Sequence, residues 1–308
     1  MRDGEDFYII ISIIFIFLTI ITLIFSSLTI LIIIANWKFQ CRSITNLLIC
    51  NSCTCLLYYA IATIMKIAFM MISDLTKYIS LNTTFCQLSA ALYFSACISV
   101  SLSFLVQAIS RYFITILYKY KILLTFRINW ILIISNWMIS FIIPGFMFIS
   151  PLAYHYESES RMCILTIKHF STSFSAMIVI FCIPLCIIIF LYGLILQQSV
   201  HQNQIDSNTF AMLRMKRNLK VFRNILVSVT ILGIGGTPYF ICDIINRFIQ
   251  IPSQLYSLSI LFISISTTLN SLALCFINKK IRKLFYSTIK CQERETRTHI
   301  NQILPIVK

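Results

Sequence analysis

The chain has 308 residues, 58% of them hydrophobic and only 11% charged, with a formal net charge of +15. A soluble domain carries about 25% charged residues, so this composition excludes an ordinary globular enzyme and predicts a polytopic membrane protein. The basic excess is not a nucleic-acid surface either, because lysines and arginines flank apolar runs instead of gathering in one patch.

Residues 1–6 are too few to fold and are read as a short N-terminal segment. Phe7 to Trp37 holds no charge and supplies the first span. It is too long for a signal peptide, and Arg2 is outweighed by Asp3, Glu5 and Asp6. The second span runs from about Thr45 to Ser73 and is interrupted by Lys66. The third runs from about Leu81 to Thr115, most of it within an uncharged stretch from Tyr78 to Ser110. Within it Cys86 and Arg111 stand 25 residues apart. As helix that separation covers about 37 Å, enough to cross a hydrocarbon core of about 30 Å, so the two mark opposite membrane faces. The fourth span is about Ile128 to Pro151, with Trp137 and Pro144 inside it, and the fifth about Thr172 to Gln198, with Pro184. The sixth, about Lys220 to Phe248, carries Pro238 just after Gly233, Gly235 and Gly236; glycines there lower the cost of bending a proline-kinked helix. The seventh is about Ser253 to Ile277. Beyond it, Ile281, Leu284 and Phe285 share one face of a basic segment, which predicts a short amphipathic helix on the inner membrane surface. Cys291 behind it is a candidate for palmitoylation, with a plain exposed thiol as the alternative. The expected fold class is an all-α seven-transmembrane helix bundle over residues 7–277, with a short amphipathic eighth helix and tail in 278–308.

Charge sets the orientation. The segments 35–44, 111–128, 197–224 and 278–308 fall on one side and hold 19 of the 25 Lys/Arg, against three acids (Asp206, Glu293 and Glu295). That side is expected to be cytoplasmic, which places the N-terminus outside, in the plasma membrane. Asn82-Thr83-Thr84 is then an outer N-glycosylation acceptor, close to the third span. Cys163 lies outside as well, between the fourth and fifth spans. Most of the twelve cysteines sit in apolar runs. Cys50, Cys53 and Cys55 have no histidine near them and read as packing thiols, and the four histidines are scattered, so neither metal nor cofactor is expected.

Several residues at matching separations resemble the rhodopsin-like (class A) G protein-coupled receptors over nearly the whole chain. They are Thr45-Asn46-Leu47-Leu48, Cys86, Arg111-Tyr112, Trp137, Pro184 with Tyr192, Pro238, Asn270 and the basic helix after it. The resemblance implies a disulfide between Cys86 and Cys163, for which two free thiols are the alternative. It also implies that Arg111, Tyr112, Tyr192, Pro238 and Asn270 form the switch that couples to a heterotrimeric G protein. The sixth span would swing outward and open a basic cavity beside Arg111. An arginine that merely anchors the span at the membrane surface is the simpler alternative. The chain departs from the family at several points. Ser110 replaces the acid before the arginine, Leu56 replaces the aspartate of the second helix, and Val100 brings no hydroxyl, so no allosteric sodium is expected. The sixth span reads Gly235-Gly236-Thr237-Pro238, and the seventh reads Asn270-Ser271-Leu272-Ala273-Leu274.

Two ionisable residues lie inside spans, Lys66 and Asp243, and buried charge in a membrane is usually functional. Tyr93 lies 18 residues before Arg111, five full turns, and so shares its face. Lys66, Tyr93, Cys97, Tyr239 and Asp243 are the candidate ligand pocket; a snorkelling Lys66 and an interfacial Asp243 are the alternative. One charge of each sign suits a zwitterion or a short peptide. By the resemblance, Tyr93 stands where amine receptors carry an aspartate, and Ser264 where opsins carry a lysine, so neither a biogenic amine nor retinal is expected. The expected function is a G protein-coupled receptor for an extracellular peptide or small organic molecule, not an enzyme. The alternatives are a receptor-like protein that no longer couples, and a small transporter or channel. No internal repeat supports the transporter, and seven spans do not halve.

Overall fold

A computed structural model of the chain describes residues 2–37, 43–76, 84–149, 154–157, 162–165, 170–205, 209–249, 251–277 and 282. Asn82, Cys291 and the expected eighth helix, apart from Arg282, lie outside the described residues. Among the described residues, seven helical segments are long and apolar enough to cross a membrane: Phe7–Ala35, Ile44–Phe69, Thr84–Thr115, Phe126–Phe148, Ser173–Gln198, Leu226–Ile245 and Gln254–Phe276. The sixth belongs to a helix that begins at Thr209, well before the expected start, because its basic N-terminal half continues as helix beyond the apolar stretch. The fifth is interrupted by a π-turn over Ile178–Cys182, between helices Phe170–Met177 and Ile183–Ile205.

The bundle is apolar on its skin and rich in small hydroxyls inside. In the first span Ile9, Ile13, Phe17, Ile20 and Ile24 are exposed, whereas Ser12, Thr19, Thr22, Ser26 and Thr29 are buried. Steps of three, four and seven residues put those hydroxyls on one helical stripe. Hydrocarbon offers no hydrogen bonds, so each polar group must find a partner within the protein. The Thr19 and Thr29 hydroxyls donate to the carbonyls of Phe15 and Phe25, at 2.6 and 2.8 Å. Thr22 also meets Thr268 of the seventh span at 2.9 Å.

The third span is the axis of the bundle. Its buried side chains run from Cys86 to Ser110. It bonds to the second span through Ser52, which accepts from Gln107 at 2.6 Å and donates to Ser103 at 3.0 Å. It bonds to the fourth through Ser110, which donates to Asn129 at 2.8 Å. The fourth span returns to the second where Trp137 Nε1 donates to Asn51 at 3.1 Å.

At the Cys86 end the chain is not all helix. Strands β1 (Tyr154–Glu157) and β2 (Met162–Leu165) form an antiparallel hairpin, with Tyr154 opposite Leu165 and Tyr156 opposite Cys163. Cys163 is bonded to Cys86 with their Cα atoms 5.5 Å apart, so β2 is fixed to the third span. Tyr154 is buried against Phe94 and Phe148, and its hydroxyl donates to the Pro144 carbonyl at 3.4 Å. That burial pushes its phenol above the ordinary value.

Replacing Cys163 by serine is expected to cost about 2–5 kcal/mol and to lower the melting temperature in detergent. Cys86→Ser should cost about as much, and the double variant little more than either, because both remove one bond. Independent, additive losses would show that the hairpin is held without the bridge.

Candidate functional site

Beneath the hairpin lies a cavity of about 120 Å³, between the third, fifth, sixth and seventh spans. Ile164 and Leu165 of β2 form part of its wall, so the disulfide that fixes β2 also sets the height of the roof. Tyr93, Cys97 and Tyr239 face it. Tyr93 meets the Tyr59 hydroxyl at 3.2 Å, and Tyr59, which also lines the cavity, meets Ser264 at 3.1 Å, which ties the second, third and seventh spans together. Lys66 stands on the far side of Tyr93. Its ammonium lies over the Tyr93 ring, 4.2 Å from the centroid, and the residue is only 5% exposed. Asp243, 1% exposed, stands behind Ser173, another lining residue, whose hydroxyl donates to Oδ1 at 2.8 Å. Its Oδ2 has no partner among the described residues. The structure thus brings Tyr93, Cys97 and Tyr239 to the cavity itself, and places Lys66 and Asp243 one side chain behind its wall.

A larger groove, about 900 Å³, runs between the fifth, sixth and seventh spans. Its lining includes Ile189 and Ile234, whose side chains face outward from the bundle. A groove of this kind meets acyl chains in a bilayer, so the smaller, less open cavity is the candidate for a diffusible ligand.

Of the sixth-span glycines, Gly236 lines the cavity. A Cβ on Gly235 would strike Ser266 of the seventh span. A Cβ on Gly236 would strike the ring of Phe181, with Cδ2 2.7 Å and Cζ 2.9 Å away. These glycines are therefore occupied by their neighbours, whatever they contribute to bending. Phe181 reaches that place because it sits in the π-turn, where the carbonyl of Ile180 is taken by the Ser101 hydroxyl at 2.7 Å. Its ring also lies 6.4 Å from Phe240 of the sixth span. One aromatic side chain of the fifth span thus lines the cavity and rests on the backbone of the sixth. Sequence reasoning missed Phe181, Ser101 and Ser266. The available signal was the pair of adjacent glycines, which marks close approach as readily as flexibility.

At the other end of the third span Arg111 is half-buried, and its Nη2 donates to the Thr45 hydroxyl at 2.7 Å. Nε has no partner among the described residues. Tyr192 lies within electrostatic reach of the guanidinium. Tyr112 packs half-buried against the central core. Asn270 is fully buried, with neither amide atom partnered among the described residues. Ser110, in the place of an acid, bonds Asn129 and leaves Arg111 without a neighbouring carboxylate on its own helix. Cys53 and Cys55 are buried in the central core beside Leu56.

The sequence model described as 7 transmembrane receptor (rhodopsin family) matches residues 26–276, from within the first span to the end of the seventh. No curated protein matches the chain.

Gly236→Ala is expected to destabilise the protein by about 1–3 kcal/mol, since the added methyl must displace the Phe181 ring. Combining it with Phe181→Ala should cost clearly less than the sum of the two single changes in thermal unfolding. Additive losses would mean that the ring and the glycine do not share that space.

Proposed function

The chain belongs to the rhodopsin family of seven-transmembrane receptors, and we propose that it binds an extracellular peptide or small organic ligand in the cavity under the hairpin and activates a heterotrimeric G protein at the Arg111 end. In this reading the N-terminus is outside the plasma membrane, Asn82 carries the glycan and Cys291 the acyl chain. The observation that carries the reading is the third span. One continuous helix presents Tyr93 and Cys97 to the cavity and Arg111 at its opposite end.

The transmission has two parts. Ligand in the cavity touches Phe181, which rests on Gly236, so occupancy bears directly on the sixth span next to Pro238. A helix with a proline lacks one backbone bond and yields there first. At the far end Arg111 is held by a neutral hydroxyl, not by a carboxylate. One hydrogen bond from a charged donor contributes about 1.5–3 kcal/mol, a latch that a ligand with modest preference for the open state can release. Released, Arg111 with Tyr112 and Tyr192 meets the G protein as the sixth span moves outward, and Asn270 supplies the polar pivot of the seventh.

The departures at Ser110, Gly235-Gly236, Ser271 and Leu274 favour a second reading, a receptor-shaped protein that has lost coupling. Reconstitution with a panel of G proteins separates the two. Thr45→Ala should raise basal nucleotide exchange about tenfold by freeing Arg111, and Arg111→Ala should abolish exchange while leaving the fold intact. Silence across the panel, with Thr45→Ala equally silent, supports the uncoupled reading. An N-terminal epitope reachable by antibody on intact cells is the expected result for orientation; an epitope reached only after permeabilisation overturns it.

A further inference from the structure

Lys66 has no role in the coupling scheme, yet it is costly to place where it is. An ammonium inside a membrane bundle faces a partner or a polar space. At 5% exposure Lys66 has left bulk solvent. What its ammonium meets among the described residues is an aromatic face, that of Tyr93. An aromatic face offsets part of the desolvation and supplies no net negative charge. Among the described residues the acid nearest the cavity is engaged elsewhere: Asp243 accepts from Ser173, and its second oxygen is buried. Tyr93 and Cys97, which line the cavity, both adjoin Lys66, one in ring contact and the other within electrostatic reach. The rest of the wall is largely apolar, with Phe94, Phe181, Ile260 and Ile263. The site therefore has an apolar interior and, one side chain behind its wall, a buried cation with no carboxylate beside it among the described residues.

Resting on the reading of this cavity as the ligand site, we infer that the ligand is an apolar carboxylate, its anionic group paired with Lys66 beside Tyr93 and its body lodged between Phe94 and Phe181. The counter-ion that Lys66 lacks among the described residues arrives with the ligand. A zwitterion anchored at both ends fits less well, because Asp243 already has a donor and its other oxygen faces protein. A cavity of about 120 Å³ holds a compact acid or the last residue of a longer ligand. A free carboxylic acid and the C-terminus of a peptide offer Lys66 the same chemistry.

The test uses the full chain in lipid nanodiscs, with ligand-induced change in melting temperature as the readout. The probes are two matched pairs: 3-phenylpropanoic acid with its amide, and a phenylalanine-ended tripeptide with a free or an amidated C-terminus. At least one acid is expected to half-saturate at about a hundredfold lower concentration than its neutral partner. Which pair responds identifies the source of the carboxylate. Lys66→Gln should erase the preference for acid over amide, Lys66→Arg should keep most of it, and Asp243→Asn should leave it unchanged. If Lys66→Gln does not fold, the acid-to-amide ratio on the unaltered chain and on Lys66→Arg decides. Equal responses to acid and amide, a preference that survives Lys66→Gln, or no response to either pair overturns the inference. Acid-dependent stabilisation without nucleotide exchange would overturn coupling and leave the pairing standing. Exchange that proceeds while every acid is ignored would overturn the pairing alone.

Discussion

The structure depends on one constraint: hydrocarbon contains no water, so every polar group within it must be satisfied by the protein. Helices answer this for the backbone, and the side chains follow the same logic. The hydroxyls of Thr19 and Thr29 return to their own helix, and Ser101 crosses to the Ile180 carbonyl that the π-turn leaves available. Ser266 does the same for Ile231 of the sixth span. The result reverses a soluble protein, with hydroxyls and amides between helices and isoleucine and phenylalanine on the outer surface.

Against that background three charged groups without a charged partner among the described residues stand out, two beside the cavity and one at the opposite end of the third span. Lys66 and Asp243 flank the cavity, each with a neutral neighbour, one a ring and the other a hydroxyl. Arg111 leans on a threonine. None of these charges is matched by an opposite charge among the partners described above. A bundle that neutralised them internally would be more stable and would have less to gain from a ligand or a partner. In the proposed reading, weak neutral contacts at Lys66 and Arg111 keep those two sites responsive, since an arriving group of the right sign gains most where the resident compensation is least.

The seven spans were legible because uncharged runs longer than a bilayer core admit few other readings, and the paired cysteine and arginine of the third span marked its two faces. The start of the sixth helix was not, because a basic segment can extend a helix into water without any change in apolar pattern. The hairpin was not legible either: four-residue strands carry too little periodicity, and this one is held by a covalent bond to a residue 77 positions away. The glycines before Pro238 were visible but equivocal. Sequence suggested a hinge; the structure fills their missing Cβ positions with Ser266 and Phe181.

Composition and spacing by themselves determined the class of the molecule, the number of crossings and the residues too costly to bury without purpose, because transfer into hydrocarbon is a property of each side chain taken alone. Only the tertiary structure decided what each costly residue meets. It placed Lys66 on Tyr93 and not on Asp243, gave Arg111 to Thr45, and set Phe181 against Gly236. Those pairings join different helices, and the rotation of one helix against another is fixed by how all seven pack, which no single stretch of sequence encodes.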